Sequence, residues 1–151
     1  MENNFINITD ALKTIADHHK QIHSFGIGEP AHINTSGSID YMLMWVKPHG
    51  SIARRGEVGF RFKILVMDLV RKDKSNLTEV LNDTHQVALD ILTDIYINGL
   101  DAVNGTHGFH LKDPDIILKV FTERFDEEVA GWSMNVTVWA SRDWDECAVP
   151  D

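Results

Sequence analysis

The chain has 151 residues, of which 43% are apolar and 25% are charged, and it carries a formal net charge of −9. This length and composition predict a single folded domain over residues 1–151 and exclude disordered, collagen-like and low-complexity classes. The negative charge argues against a general affinity for the phosphate backbone of nucleic acids.

The sequence also bears on the compartment in which the chain is made. No apolar run approaches the roughly 20 residues that a membrane-spanning helix needs. The segment Met1–Asn4 lacks the basic and apolar regions of a signal peptide, and the single Cys147 cannot form an intramolecular disulfide. We therefore expect a protein that is made and kept in a cytoplasm.

The first predicted element is a helix over about residues 8–23, where apolar residues recur at helical spacing. Residues 24–38 are rich in Gly, Ser, Asn and Pro, which interrupt regular structure. We expect a connection there, with a short strand near residues 31–34.

Two strands are predicted next. Residues 39–47 are aromatic and mostly apolar, which is typical of a strand buried on both faces. Residues 57–70 alternate cleanly, and one face of that strand begins with Arg61 and Lys63 before it turns apolar. The pattern predicts an extended β-hairpin over about residues 41–70, with one end reaching beyond the body of the domain.

A second helix is predicted over residues 77–98, where one apolar stripe is continuous. Asn76 and Glu79 have the spacing of a helix cap and its reciprocal acid. The remaining predicted elements are a loop over 100–114, strands over about 115–124 and 131–141, and a polar tail over about 142–151.

The order of these elements is α-β-β-α-β-β. Paired strands separated by helices favour an α+β fold with an antiparallel sheet. We predict a two-layer sandwich in which both helices pack on one face of the sheet. The extended hairpin and the polar tail are not part of this packed core.

The eight histidines of the chain suggest a metal site, but their pattern does not support one. His19 and His23 are four residues apart on the predicted helix, without the surrounding motif of a zinc protease. His107 and His110 lie in the predicted loop, where a solvent-facing role is more common. The sequence contains neither a phosphate-binding loop nor a nucleophile motif. We therefore predict no catalytic residue, no cofactor and no metal, and a protein that is not an enzyme.

The candidate functional residues are instead those of an interface. Adjacent arginines at the predicted hairpin turn, further cations along the second strand and an acidic turn near residue 127 are potential complementary surfaces. Aromatic residues also lie on a strand face that is predicted to be partly exposed to solvent and in the tail. Exposed aromatic residues are typical of interfaces. The predicted interface residues are Arg54, Arg55, Arg61, Lys63, Asp126, Glu127, Glu128, Trp139 and Trp144.

Four parts of the sequence, taken with the order of the predicted elements, are typical of a known family. They are Phe60–Asp68, Ser75–Val80, Leu89–Leu92 and the ending from Phe125 through Gly131–Trp132 to Cys147–Pro150. In these segments the sequence resembles the tail-completion or head–tail joining (neck) proteins of tailed bacteriophages. In those proteins an N-terminal helix, a strand pair with an extended hairpin, a second helix and a final strand pair follow in the same order.

The resemblance implies a structural protein of the virion, made in the cytoplasm of the bacterial host. Copies of such a protein form a ring of about six or twelve subunits. Its partners are itself, a portal or adaptor protein and adjacent tail proteins. The ring seals the connector and surrounds a channel through which DNA passes without specific binding. An acidic lining suits such a channel, because it repels the duplex.

Two other interpretations of the residues stay open at this point. The chain could be a small ligand-binding domain or enzyme of the same class, with a site near loop 100–114 that uses His107, His110 or Asp113. It could also be an adaptor that binds another protein through an exposed sheet edge.

Overall fold

Three long strands form the centre of the computed structural model, which describes residues 5–35, 39–98, 110–124 and 127–141. The helices are α1 (Phe5–His18) and α2 (Leu77–Asn98), and a short 3-10 helix spans Pro30–Thr35. The strands are β1 (Ser24–Ile27), β2 (Leu43–Arg54), β3 (Glu57–Leu69), β4 (His110–Leu111), β5 (Leu118–Arg124) and β6 (Glu128–Ser141).

The six strands form one open sheet in the order β1-β2-β3-β6-β4. All pairs are antiparallel except β1 with β2, which is parallel. Strand β5 shares an edge of β6 with β4: β5 pairs with Glu128–Met134, and β4 pairs with Val138 and Trp139. The chain is thus an α+β protein with two helices and a mostly antiparallel sheet, as the sequence predicted.

Both helices pack on one face of this sheet, here called the helix face. Alternate residues of β2, β3 and β6 point to this face because side chains alternate along a strand. They join the apolar stripes of α1 and α2 in one buried cluster. Its fully buried members include Ile8, Leu12, Met44, Phe62, Ile64, Val66, Ile91 and Ile95.

The opposite face, here called the outer face, is covered over only part of its length. At the end of the sheet near Leu43, a second apolar cluster contains Ile33 from the 3-10 helix and Trp45 from β2. The Trp45 ring lies against Gly26 of β1, where an added Cβ would overlap it. The Trp45 indole N–H donates a hydrogen bond to the carbonyl of Gly28 at 2.9 Å. The segment from β1 through the 3-10 helix therefore covers this end of the outer face.

The segment before β2 differs from the sequence prediction. Helix α1 ends at His18 rather than near residue 23, because the chain makes a turn over residues 19–21. The short strand expected near 31–34 is instead part of the 3-10 helix, and β1 lies earlier in the chain. Two short strands, β1 and β4, are thus added to the four that were predicted.

The strands β2 and β3 are antiparallel and are connected at Arg55 and Gly56. Gly56 has φ of 87° in this turn, a conformation that glycine adopts at little cost. Strand β6 accompanies β3 along its full length, from Leu69↔Val129 to Glu57↔Ser141. The end of the hairpin is therefore part of a three-stranded sheet rather than a free pair of strands, and we call this end the tip. The predicted tail, 142–151, lies outside the described residues.

Candidate functional site

The half of the outer face nearest the tip is not covered by any element that the structure describes. The strand register places alternate residues of β2, β3 and β6 on this surface, here called the open face. It consists of Lys47, Ile52, Arg54, Glu57, Gly59, Arg61, Lys63, Asn135, Thr137 and Trp139.

Lysine side chains from neighbouring strands lie directly opposite each other on the open face. Lys47 and Lys63 are Cα partners in the β2–β3 ladder, and Arg61 follows two residues away on the same face. Lys47 has an ion pair with Glu29 at 3.4 Å. Arg61 and Lys63 form no ion pair with any residue in the described ranges. Like charges opposite each other destabilise a sheet, so this arrangement favours an anionic partner.

Trp139 lies near the tip between two cations. The guanidinium carbon of Arg54 is 4.4 Å and the Lys112 ammonium is 4.9 Å from the centroid of its ring system. Both distances fit cation–π contacts. The ring packs over Gly59, its partner in the ladder, where an added Cβ would come within 2.9 Å of the ring. Although Trp139 was predicted on a wet face, it is only 4% exposed, because Arg54 and Lys112 cover it.

Glu57 connects these two cations. Its carboxylate accepts hydrogen bonds from the Lys112 ammonium at 2.6 and 2.7 Å, and Arg54 lies 3.7 Å away. The hydrogen bond from Lys112 lowers the pKa of Glu57 below its ordinary value, and the positive charges of Lys112 and Arg54 act in the same direction. The Glu57 carboxylate therefore holds Arg54 and Lys112 in place around Trp139.

A groove of about 260 Å³ crosses the open face. Its lining includes His49, at the bulge of β2, together with Arg61, Asn135 and Thr137. Asp113 also lines it, and its carboxylate accepts a hydrogen bond from the Thr137 backbone N–H at 3.4 Å. The groove thus offers several hydrogen-bonding side chains on a basic surface.

The outer edge of β2 is a second exposed feature of the tip. Strand β1 pairs with Leu43–Val46 only, so among the described residues no strand pairs with the outer edge of Lys47–Arg54. Pro48 and Gly50 interrupt this edge, because the register shifts between them. Proline and bulges are common at edges that do not pair freely with other chains.

The structure brings four predicted interface residues together: Arg54, Arg61, Lys63 and Trp139 all belong to the open face. Arg55 is exposed in the adjacent turn. Trp144 and Asp126 lie outside the described residues.

Glu128 is the first residue of β6, and Glu127 directly precedes it. At the rise of a strand, this end of β6 is about 43 Å from the end of β6 at the tip. They line a depression with Arg71, Lys72 and Arg124, and Glu128 has an ion pair with Lys74 at 3.2 Å. The charge around the predicted acidic turn is therefore mixed.

The residues of the competing ligand-site hypothesis have structural contacts. His110 pairs with Trp139 in the β4–β6 ladder. Asp113 lies between β4 and β5 in the chain, and its carboxylate accepts a hydrogen bond from the backbone N–H of Thr137 in β6. The Asp113 carbonyl accepts a hydrogen bond from the Tyr96 hydroxyl at 3.1 Å. His107 lies outside the described residues.

The helical histidine pair is not assembled as a metal site. His19 contacts the Asp90 carboxylate at 2.9 Å, whereas His23 lies beyond the end of α1 and contacts the Tyr41 carbonyl at 2.8 Å. Across the described ranges, no group of three or more His, Cys, Asp or Glu residues is placed to hold a metal ion.

The exposed apolar surface on α2 was not predicted from the sequence. Leu89, Tyr96 and Ile97 are 38%, 50% and 76% exposed, although they are large and apolar. Their spacing of seven and eight residues places them on one side of the helix. The sequence contains this spacing, but the apolar stripe of the same helix that packs on the sheet is longer and gives a stronger periodic signal. Lys112 was also missed, since only the fold brings it to Glu57.

Charge is distributed unevenly between the two layers. Helices α1 and α2 together contain a single lysine, Lys13, and no arginine. Their carboxylates are Asp10, Asp17, Glu79, Asp83, Asp90 and Asp94. The helix layer is therefore acidic, whereas the open face on the other side of the sheet is basic.

Comparison with known proteins does not assign the chain to a family. No protein-family model matches the sequence, and no curated protein matches it. In the described part of the chain, neither helix is both long and apolar enough to cross a membrane.

Proposed function

We propose that this protein is a structural subunit that assembles with copies of itself into a ring, at the junction between the portal and the tail of a bacteriophage. The observation that supports assembly is the open face: half of one sheet surface has no described covering layer, although the opposite surface is buried under two helices. A neighbouring subunit can supply the missing layer.

The distribution of surfaces favours a ring over a symmetric dimer. A dimer would place the open face of each copy against the same basic face of the other, where like charges repel. A contact between two different surfaces avoids this repulsion, and repeating it around an axis closes a ring. The basic open face and the acidic helix layer are two such different surfaces.

The position at the head–tail junction rests on the resemblance of segments such as Phe60–Asp68 and Leu89–Leu92 to neck proteins. The overall charge of −9 agrees with a ring that surrounds DNA without holding it, because an acidic wall repels the duplex. The proposed partners beyond the ring are a portal or adaptor protein and the adjacent tail proteins.

Measurement of the oligomeric state tests this proposal. We expect sedimentation velocity and light scattering of the purified full chain to show concentration-dependent assembly into a closed oligomer. We also expect a portal gene to lie beside this one in the genome, and the chain to co-purify with the product of that gene. A chain that stays monomeric at all accessible concentrations, and that does not co-purify with a portal, would falsify the proposed function.

A further inference from the structure

We propose that the open face of one subunit binds the solvent-exposed side of the second half of α2 in the next subunit. This inference rests on the proposed function and adds to it the two surfaces that meet. The contact pairs cations of the sheet with carboxylates of the helix around a small apolar centre.

The sheet surface provides the cations. Arg61 and Lys63 have no ionic partner among the described residues, and Lys47 lies directly opposite Lys63. Ile52 adds an apolar side chain that is 37% exposed. Cations that lie close together repel one another, and Arg61 and Lys63 have no described acidic partner to offset this, so an approaching carboxylate relieves an unfavourable arrangement.

The helix surface provides the complement. Leu89 and Ile97 are exposed on α2, and Asp90 and Asp94 lie beside them. Exposed apolar residues at helical spacing are typical of a helix that docks on a partner. The carboxylates beside them match the cations beside Ile52.

The dimensions of the two surfaces agree. The segment Leu89–Ile97 is about 12 Å long at the rise of an α-helix. The open face extends from Lys63 to Glu57, which is about 20 Å at the rise of a strand. A helix of this length fits on the open face. Because the sheet separates α2 from the open face within one molecule, the contact is between copies.

A nucleic acid is a less suitable occupant of the same surface. Two of the cations on the open face, Arg54 and Lys47, already have acidic partners, namely Glu57 and Glu29. The whole molecule carries a net charge of −9, which repels a polyanion at long range. A second copy is also repelled at long range, but its α2 presents the exposed Leu89 and Ile97 beside its carboxylates, whereas a phosphate backbone has no apolar side chain to contact Ile52.

Charge reversal on either surface tests the contact. The face variant Arg61→Glu with Lys63→Glu and the helix variant Asp90→Lys with Asp94→Lys should each weaken self-association at least about tenfold, because each places like charges together. An equimolar mixture of the two variants should recover assembly, since the reversed face of one meets the reversed helix of the other. Sedimentation velocity measures all three samples.

Two controls keep the result interpretable. Arg71→Glu with Lys72→Glu makes the same change in net charge at the opposite end of the sheet, and it should assemble like the wild type. Asp94→Lys alone preserves the contact between His19 and Asp90, so it tests the helix surface even if the double helix variant is poorly folded.

The outcomes of these experiments distinguish a failure of the proposed contact from a failure of the proposed function. If the wild type assembles and the face variant assembles equally well, the contact is wrong and the ring proposal stands. If the face variant still assembles but loses affinity for a DNA duplex that the wild type binds, the open face is a nucleic-acid site instead. If the wild type does not assemble, the contact is wrong, and the proposed function fails with it when the chain also does not co-purify with a portal.

Discussion

At the scale of single residues, the arrangement of cations around Trp139 at the tip depends on Glu57. Its carboxylate holds the Lys112 ammonium and the Arg54 guanidinium, which in turn cover the Trp139 ring. Glu57 comes just after the hairpin turn, and Lys112 comes 55 residues later. The side chain of one glutamate thus links β3 to the segment after β4.

This arrangement makes a prediction about pH. The hydrogen bond from Lys112 lowers the pKa of Glu57 in the folded protein, so the ionised carboxylate stabilises the folded state. The stabilisation is fully present above the pKa of an unfolded glutamate, about 4.3, and is lost as the pH falls through the lower folded value. Lys112→Met should therefore unfold in less urea than the wild type at pH 7.

The difference between Lys112→Met and the wild type should shrink as the solution is acidified to pH 3. Urea denaturation followed by tryptophan fluorescence measures it at each pH. Lys119→Met, which removes an exposed lysine on β5, serves as the control and should show no such trend. A difference that is constant from pH 7 to pH 3 would show that Lys112 acts through packing on Trp139 alone.

At the scale of secondary-structure elements, the sequence predicts the elements that have strong periodicity. It does not predict strands that are short or that form only because a distant strand pairs with them. The alternation over residues 57–70 and the stripe over 77–98 correspond to β3 and α2, because each element buries a full face against the core. Strand β1 has only four residues, and it exists because β2 provides a parallel partner. Such a pairing leaves no periodic signal in a segment of that length.

The candidate site was predictable to a similar extent. Arg61 and Lys63 stood out because they are the two cations of a mostly apolar strand, and both belong to the open face. The buried state of Trp139 was not predictable, since its cover comes from Arg54 and Lys112 on other strands and segments. Local patterns identify which face a residue occupies, whereas only the fold determines what covers it.

Helix α2 has a buried apolar surface and an exposed one, and a pair of substitutions tests whether the exposed one serves the proposed contact. Ile91 is fully buried in the core, so Ile91→Ala should lower the free energy of unfolding by about 2–5 kcal/mol. Leu89 is exposed on the other side, so Leu89→Ala should change this free energy by less than about 0.5 kcal/mol. Leu89→Ala should nevertheless weaken self-association, which sedimentation velocity measures. Loss of stability in Leu89→Ala comparable to that in Ile91→Ala would instead make Leu89 a core residue.

At the scale of the whole molecule, net charge and local charge act in opposite directions. Two copies that each carry −9 repel one another on average, and added salt screens this repulsion. In the proposed contact, the acidic helix layer and the basic open face attract one another, and added salt weakens this attraction. The salt dependence of assembly therefore shows which of the two effects dominates.

We expect local attraction to dominate, so that NaCl weakens the self-association of the wild type. The screening length falls from about 10 Å at 0.1 M salt to about 3 Å at 1 M. The variant Arg61→Glu with Lys63→Glu should respond in the opposite sense, because salt relieves the repulsion between its acidic face and the acidic helix layer. Sedimentation velocity of both proteins across this range provides the comparison. Wild-type assembly that strengthens steadily with NaCl would mean that the screened net repulsion outweighs charge complementarity, so that the proposed charge pairing does not hold the subunits together.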